Sequence, residues 1–214
     1  INKSNNFSDR VFKGGRLLKA ESVDQFYLEF ISYWNNPEAL VINSKEPKTI
    51  LNSNNKSAHN MTNTERMMYL DLLSYLPGDI LTKVDRASMA VSLETRLPFM
   101  DHRLIEFAWT LPNEYKYKNG RTKWILKEVL NKYIPKKLYD RPKQGFGIPI
   151  NEWLKGSLRE WAEELLNEQK LKEQGYFDAI KIREKWMQHQ SGKSNWQHQI
   201  WNILMFQSWL EENN

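Results

Sequence analysis

Seven charged side chains fall between Asp79 and Asp101: Asp79, Lys83, Asp85, Arg86, Glu94, Arg96 and Asp101. Apolar residues are interleaved with them, among them Ile80, Leu81, Val84, Val91, Leu93, Leu97 and Phe99. A solvated surface needs no such apolar company, and a plain core does not accept unpaired charge. A set of paired charges at the wall of a site satisfies both conditions. Lys123 falls in the first turn of a later periodic segment, where a cation opposes the helix dipole. That makes it a candidate functional cation, with a surface lysine as the plain alternative. The stretch 141–149 carries Arg141, Lys143 and Gln144 as donors, with Gly145 and Gly147 among them. Glycine lets a backbone approach a ligand closely. Such a loop can hold a phosphate or carboxylate, or it can be a well-packed turn, and both readings stand.

The elements that must position these residues are read as helices. Ser22 caps an amphipathic helix over 22–34, with Phe26, Phe30 and Tyr33 at helical spacing. Residues 43–63 read as a long polar loop with a short helix near Ile50. A strongly apolar helix runs from Thr64 to Leu76, and Pro77-Gly78 stops it. Asp79 then caps a helix from Ile80 to Ser92. At about 100° per residue, Ile80, Leu81, Val84, Ala87, Ser88 and Val91 form a core stripe. Asp79, Lys83 and Arg86 form a neighbouring edge, with Asp85 set apart from it. As an i,i+4 pair alone, Asp79 and Lys83 are worth roughly 0.2–0.5 kcal/mol.

Pro98 pushes the residue before it toward extended geometry. In an extended segment Glu94 and Arg96 point to the same side, so they form an ion-paired brace. Asp101 caps a helix over 104–111. Asn119-Gly120 is a turn, and 121–133 is helical with Ile125, Leu126, Val129, Leu130 and Tyr133 inward. Helices follow over 151–166, 178–189 and 195–210, the last rich in tryptophan. Residues 167–176 are polar and are assigned no element. Gly14-Gly15 is a helix–loop connection, and no strand and no internal repeat is evident.

The 214 residues carry 31 basic and 26 acidic side chains, a net charge of +5. That suits an anionic ligand. Acids and bases are interleaved, which argues against nucleic acid. Without cysteine there is no disulfide, thiol nucleophile or Cys-based metal site. His59, His102, His189 and His198 show no metal-ligand spacing. No apolar run reaches the roughly 18 residues of a membrane span, and no signal peptide is visible. The chain begins at Ile1 in mid-pattern, so a fragment of a longer, cytoplasmic protein is expected.

Several motifs together carry a resemblance. The first is Asp-x-Leu-x-Lys-x-Asp-Arg-x-Ser-Met-Ala, here Asp79, Leu81, Lys83, Asp85, Arg86, Ser88, Met89 and Ala90. It continues into Leu93, Glu94, Arg96, Pro98, Phe99 and Asp101. A lysine at a helix start (Lys123), the Arg141-Pro-Lys-Gln-Gly-Phe loop, and an ending at Trp196, Trp201, Phe206 and Trp209 complete it. In this combination the chain resembles the C-terminal part of the synthetase domain of glutamine-hydrolysing asparagine synthetases.

The resemblance implies a mainly α fold over 1–214. It would be the helical portion of an α/β adenine-nucleotide α-hydrolase-like (ATP-pyrophosphatase) domain, with few or no strands. It implies ATP and Mg²⁺, conversion of aspartate to a β-aspartyl adenylate, and ammonia delivered from an N-terminal glutaminase domain. Lys123 matches the lysine that contacts pyrophosphate and the intermediate. Arg141 and Lys143 are second contributors, with Lys83, Arg86 and Asp79 as further phosphate- or substrate-binding candidates. Asp85, Glu94, Arg96 and Asp101 are site wall, and no metal ligand is assigned. The family's Ser-Gly-Gly-x-Asp-Ser nucleotide loop, its Gly-Glu-Gly-x-Asp-Glu segment and its glutaminase cysteine do not occur here. They are expected upstream, and the fragment alone is expected to be inactive. A homodimer stays open. The alternatives are a related amide-forming ligase that closes β-lactam or macrolactam rings, and a non-catalytic helical interaction module.

Overall fold

The structure, a computed structural model, describes residues 11, 14–53, 60–142 and 147–213. In chain order its helices are α1 (Val23–Ile31), α2 (Asn63–Leu73), α3 (Thr82–Met89), α4 (His102–Thr110) and α5 (Asn113–Lys116). A hairpin of β1 (Tyr117–Lys118) and β2 (Arg121–Thr122) precedes α6 (Trp124–Leu130). Then come α7 (Ile150–Lys155), α8 (Arg159–Leu165), α9 (Glu168–Gln174), α10 (Ala179–Gln190) and α11 (Gln197–Glu212). The fold is therefore mainly helical, and the hairpin is the only paired sheet among the described residues. No helix among them is long and apolar enough to cross a membrane. The chain forms two compact units, one of residues 1–80 with 148–214 and one of residues 81–147.

The core of the first unit is built by α7–α11, where Leu154, Ala162, Leu166, Ile182, Trp186, Ile200 and Leu204 lose all solvent contact. Caps fix where these helices start. The Asn167 side chain accepts from the backbone N–H of Gln169 and Lys170, and Gly175, at φ 72°, terminates α9. Asp178 accepts from Lys181 N–H to open α10. The segment 33–42 is pinned to these helices through its backbone. Ile42 N–H donates to Tyr176 O at 2.9 Å, Asp178 N–H to Leu40 O at 2.8 Å, and Lys181 Nζ to Ala39 O at 2.8 Å.

Earlier in the same unit, α1 and α2 are joined by polar contacts over packed faces. Arg66 pairs with Asp24 through two guanidinium nitrogens. The Tyr27 hydroxyl donates to Asp71 at 2.5 Å. Burial first, and then the Asp71 carboxylate, push the Tyr27 phenol up to about 12. Ser22 caps α1 through Gln25 N–H, as its sequence position predicts.

Four expectations about elements are corrected. Pro77-Gly78 does not stop the chain, because Leu76–Leu81 continues as a π-helical turn that leads directly into α3. The helix expected over 151–166 breaks at Gly156, whose φ of −125° and ψ of −108° leave the helix. A Cβ there would lie 3.1 Å from the Glu152 carbonyl. Residues 167–176 hold α9, which its Asn cap and Gly stop could have disclosed. Among the described residues near Ile50 there is a turn, closed by Ser53 N–H to Thr49 O, and no helix.

The second unit has a different character. None of its described residues is buried. Val91, Leu93, Phe99, Phe107, Val129 and Tyr133, several of them expected inward, are all exposed, Val91 by 75% and Tyr133 by 78%. Periodicity identifies the side of a helix that seeks cover and does not supply the cover.

Candidate functional site

The residue types singled out for chemistry fall in both units. Asp79 lies in the first, half-buried in the π-turn. It does not cap α3: Leu81 holds the N-cap position, in helical geometry and with no side-chain hydrogen bond. The expected N-cap fails for a physical reason. A cap residue sits in extended backbone, and the uninterrupted π-turn leaves none there.

Lys83, Asp85 and Arg86 lie on α3 in the second unit, all exposed. Neither Asp79 nor Lys83 lacks an interaction partner. The helix is shorter than the expected 80–92, ending at Met89, with Ser92 at φ 59° turning the chain out of it.

Glu94 and Arg96 form the expected ion pair, at 2.9 Å, from a segment outside any helix or strand. Both side chains are mostly in water, 69% and 85% exposed. A pair so solvated contributes at most about 1 kcal/mol, so the brace is weaker than a buried one would be. Asp101 caps α4 by accepting from Arg103 N–H at 2.9 Å, and the Arg103 guanidinium closes back on the same carboxylate. The Arg103 side chain first, and then its backbone N–H, hold the Asp101 carboxyl below the usual range.

Lys123 departs from expectation in its backbone. It does not lie inside a helix that starts at Arg121, because Arg121 and Thr122 form β2. Lys123 stands between that strand and α6, at φ 56° and ψ 39° in the left-handed region, and its side chain is exposed. Non-glycine residues seldom adopt this conformation. The strand pairing is Tyr117 with Thr122 and Lys118 with Arg121. Asn119 and Gly120, with φ of 50° and 78°, make the two-residue connection. Two positive φ values at Asn-Gly are the signature of a type I′ turn, whose twist matches the flanking strands.

Aromatic rings and ammonium groups pack around Lys123's neighbours in a way that no helical period discloses. Trp124 opens α6, its ring 6.0 Å from that of Tyr115 and 4.6 Å from the Lys118 ammonium. The Lys116 ammonium lies 5.3 Å from the Trp109 ring. The signal for the hairpin was the Asn-Gly pair. Its strands, two residues each, are too short to show alternation. Arg141 is exposed, just after a 3₁₀ turn at Lys136–Leu138. Lys143 lies outside the described residues. Among the described residues no group of three or more His, Asp or Glu is arranged to hold a metal ion. Of the candidates in the second unit, the structure pairs Glu94 with Arg96 and leaves Lys123 and Arg141 as exposed cations.

The chain is mainly helical, and Lys123 presents an exposed cation at a left-handed strand-to-helix junction. The family model for asparagine synthase matches residues 2–211. The chain belongs to the asparagine synthase family. It is 34% identical over 144 residues to asparagine synthetase [glutamine-hydrolyzing] 1 of Bacillus subtilis, which covers 67% of this chain and 22% of that protein. It is 36% identical over 146 residues to a putative asparagine synthetase [glutamine-hydrolyzing] of Mycobacterium tuberculosis H37Rv, again 67% of this chain and 22% of the relative. The human asparagine synthetase [glutamine-hydrolyzing] is 33% identical over 144 residues, 58% of this chain and 24% of that protein. The chain thus matches about a fifth to a quarter of the length of these curated relatives. No solved structure matches it significantly.

Proposed function

We propose that this chain is the helical part of a synthetase domain that makes asparagine from aspartate, ATP and glutamine-derived ammonia. The observation that carries the reading is the family match across residues 2–211. In the proposed reaction a carboxylate oxygen of aspartate attacks the α-phosphorus of ATP and pyrophosphate leaves. Ammonia then attacks the acyl carbon of the β-aspartyl adenylate, and AMP departs with the electron pair of the broken C–O bond. Ammonia is supplied by a glutaminase domain, in keeping with the glutamine-hydrolysing names of the relatives.

Negative charge builds on the α-phosphate and on the leaving pyrophosphate as the first step proceeds. A fixed cation at that point lowers the barrier, because it meets charge that is larger in the transition state than in the substrate. Lys123 takes this role, supported by its exposed side chain and its constrained backbone. Arg141 and Lys143 steady the phosphates. Asp79, Lys83, Asp85, Arg86, Glu94, Arg96 and Asp101 shape the surrounding wall. Mg²⁺ enters on the phosphates of ATP, which is its usual manner of binding and requires no carboxylate cluster from this chain.

The test is ATP–pyrophosphate exchange by the purified full-length protein. Exchange that depends on aspartate, with asparagine formed when glutamine is added, is expected. Exchange supported by a different carboxylic acid and not by aspartate would refute the substrate assignment. The 214-residue chain alone is expected to show no aspartate-dependent pyrophosphate release, and measurable release would refute its dependence on the rest of the domain.

A further inference from the structure

We propose that the hairpin 117–122 and Trp124 form a positioning device for Lys123, in which Lys118 and Trp124 hold the left-handed junction closed. The inference rests on the reading of Lys123 as the phosphate-binding cation.

The junction is fixed from both sides. On its N-terminal side, Thr122 is tied into the ladder opposite Tyr117, and the type I′ connection at Asn119-Gly120 leaves the hairpin no slack. On its C-terminal side, the Trp124 ring packs against Tyr115 at 6.0 Å and receives the Lys118 ammonium at 4.6 Å from its centroid. Lys118 stands directly opposite Arg121 in the ladder. One side chain of the hairpin therefore grips the first residue of α6, and Lys123 is the single residue between the two anchored elements.

That residue is neither glycine nor asparagine, the types that adopt φ near 56° most readily. Strained backbone persists where its surroundings over-determine it, and such residues gather at functional sites. Here the over-determination has named parts: the ladder before Lys123 and the aromatic clamp after it. Lys123 O already accepts from Lys127 N–H at 3.0 Å, so the first turn of α6 is built on the strained residue itself. Loosening the clamp frees the junction to relax to ordinary backbone and displaces the base of the Lys123 side chain. Trp124 and Lys118 are thus positioning residues, acting through Lys123 without touching the reacting atoms.

The experiment compares four variants of the full-length protein in aspartate-dependent ATP–pyrophosphate exchange, with a thermal melt of each. Trp124→Leu is expected to lower kcat by about a hundredfold, the usual effect of a group misplaced by an ångström, while the KM for aspartate stays within about threefold. Trp124→Phe, which keeps an aromatic face, is expected to recover most of that loss. Lys118→Met, at an exposed site where folding is not at stake, is expected to lower kcat by about fivefold, the rate equivalent of one exposed cation–π contact. Lys123→Ala is the control and is expected to abolish exchange. An active Lys123→Ala overturns the underlying reading and this proposal with it. An inactive Lys123→Ala beside Lys118→Met and Trp124→Leu of wild-type kcat overturns the positioning role alone. Equal loss in Trp124→Phe and Trp124→Leu, each in step with its melting temperature, also overturns it, because that pattern reports stability and not placement.

Discussion

The Nδ1 atom of His189 accepts a hydrogen bond from the backbone N–H of Trp196 at 3.3 Å, in a core where His189 has no accessible surface. The accepting nitrogen cannot carry a proton, so the ring is the Nε2–H tautomer. Its Nε2 atom has no hydrogen-bond partner among the described residues. Protonation would turn Nδ1 against the N–H it now accepts from and leave a buried charge. Burial first, and then the nearby Lys155 ammonium, lower the imidazole from 6.5 to about 4. An unfolded chain takes up this proton near pH 6.5, the folded chain only near 4. Between those values the unfolded state binds more protons, so stability rises with pH. The contribution is fully present above pH 6.5 and is lost as pH falls toward 4, roughly 3 kcal/mol in all. Denaturant midpoints measured from pH 7 to 4 should show that fall. His189→Asn, whose Oδ1 can replace Nδ1 as the acceptor, should flatten it. An unchanged slope in that variant would remove His189 as the cause.

Trp186 has no exposed surface, and its indole N–H donates to Glu163, which also receives the Arg183 guanidinium. Burial pushes the Glu163 carboxyl up, but the Arg183 and Trp186 donors outweigh it and hold the carboxyl below its usual range. Glu163→Ala removes the acceptor from a buried N–H and should cost about 1–3 kcal/mol. Glu163→Gln keeps a carbonyl oxygen in place and should cost clearly less. Glu163→Met keeps the bulk but offers no acceptor and should cost about as much as Glu163→Ala in chemical denaturation, whereas a Glu163→Met variant as stable as Glu163→Gln would mean that bulk and not the acceptor matters.

Glu94 and Arg96 look like a structural brace, yet the solvent around both limits their attraction. Arg96→Ala should change stability by less than about 1 kcal/mol, read from the urea midpoint. A larger loss would mean that the pair is covered in the full-length protein. The same comparison at high salt separates the cases, since an exposed pair is screened and a covered one much less so.

What could be read from the sequence depended on the range of the interaction. Ser22 and Asp101 cap helices through an N–H two or three residues away, and their residue type alone announces it; Asp178 does the same for α10, where the sequence reading has only the helix. The capping box of Thr62 and Glu65 is equally local and lies just ahead of the apolar run that begins at Thr64. Asp79 failed because a π-turn runs through Pro77-Gly78, and no side-chain pattern distinguishes such a turn from a stop. The hairpin is half legible, since Asn119-Gly120 marks its turn while strands of two residues are too short to show alternation. For the candidate site, residue types pointed to Lys123, but its left-handed backbone and the Lys118–Trp124 clamp arise from pairing across the hairpin, beyond any helical period. The apolar stripes expected as core in 81–147 are exposed or only half-buried, because a stripe encodes a preference for cover whoever supplies it.

Lys123 offers a way to separate its backbone from its amine. At φ 56° and ψ 39° a lysine carries a conformational penalty that glycine does not. Lys123→Gly should relieve that penalty, but it also widens the unfolded ensemble, so the net change should stay within about 1 kcal/mol of zero. Lys123→Ala keeps a Cβ at positive φ and should melt no higher than the glycine variant. Both lack the ammonium, so both should lose aspartate-dependent pyrophosphate exchange while glutamine hydrolysis continues. A glycine variant that keeps synthesis near the wild-type rate would make the position one of backbone geometry alone. If alanine melts lower than glycine and both are inactive, the residue serves two ends at once: the fold tolerates a strained lysine there because the reaction needs its charge.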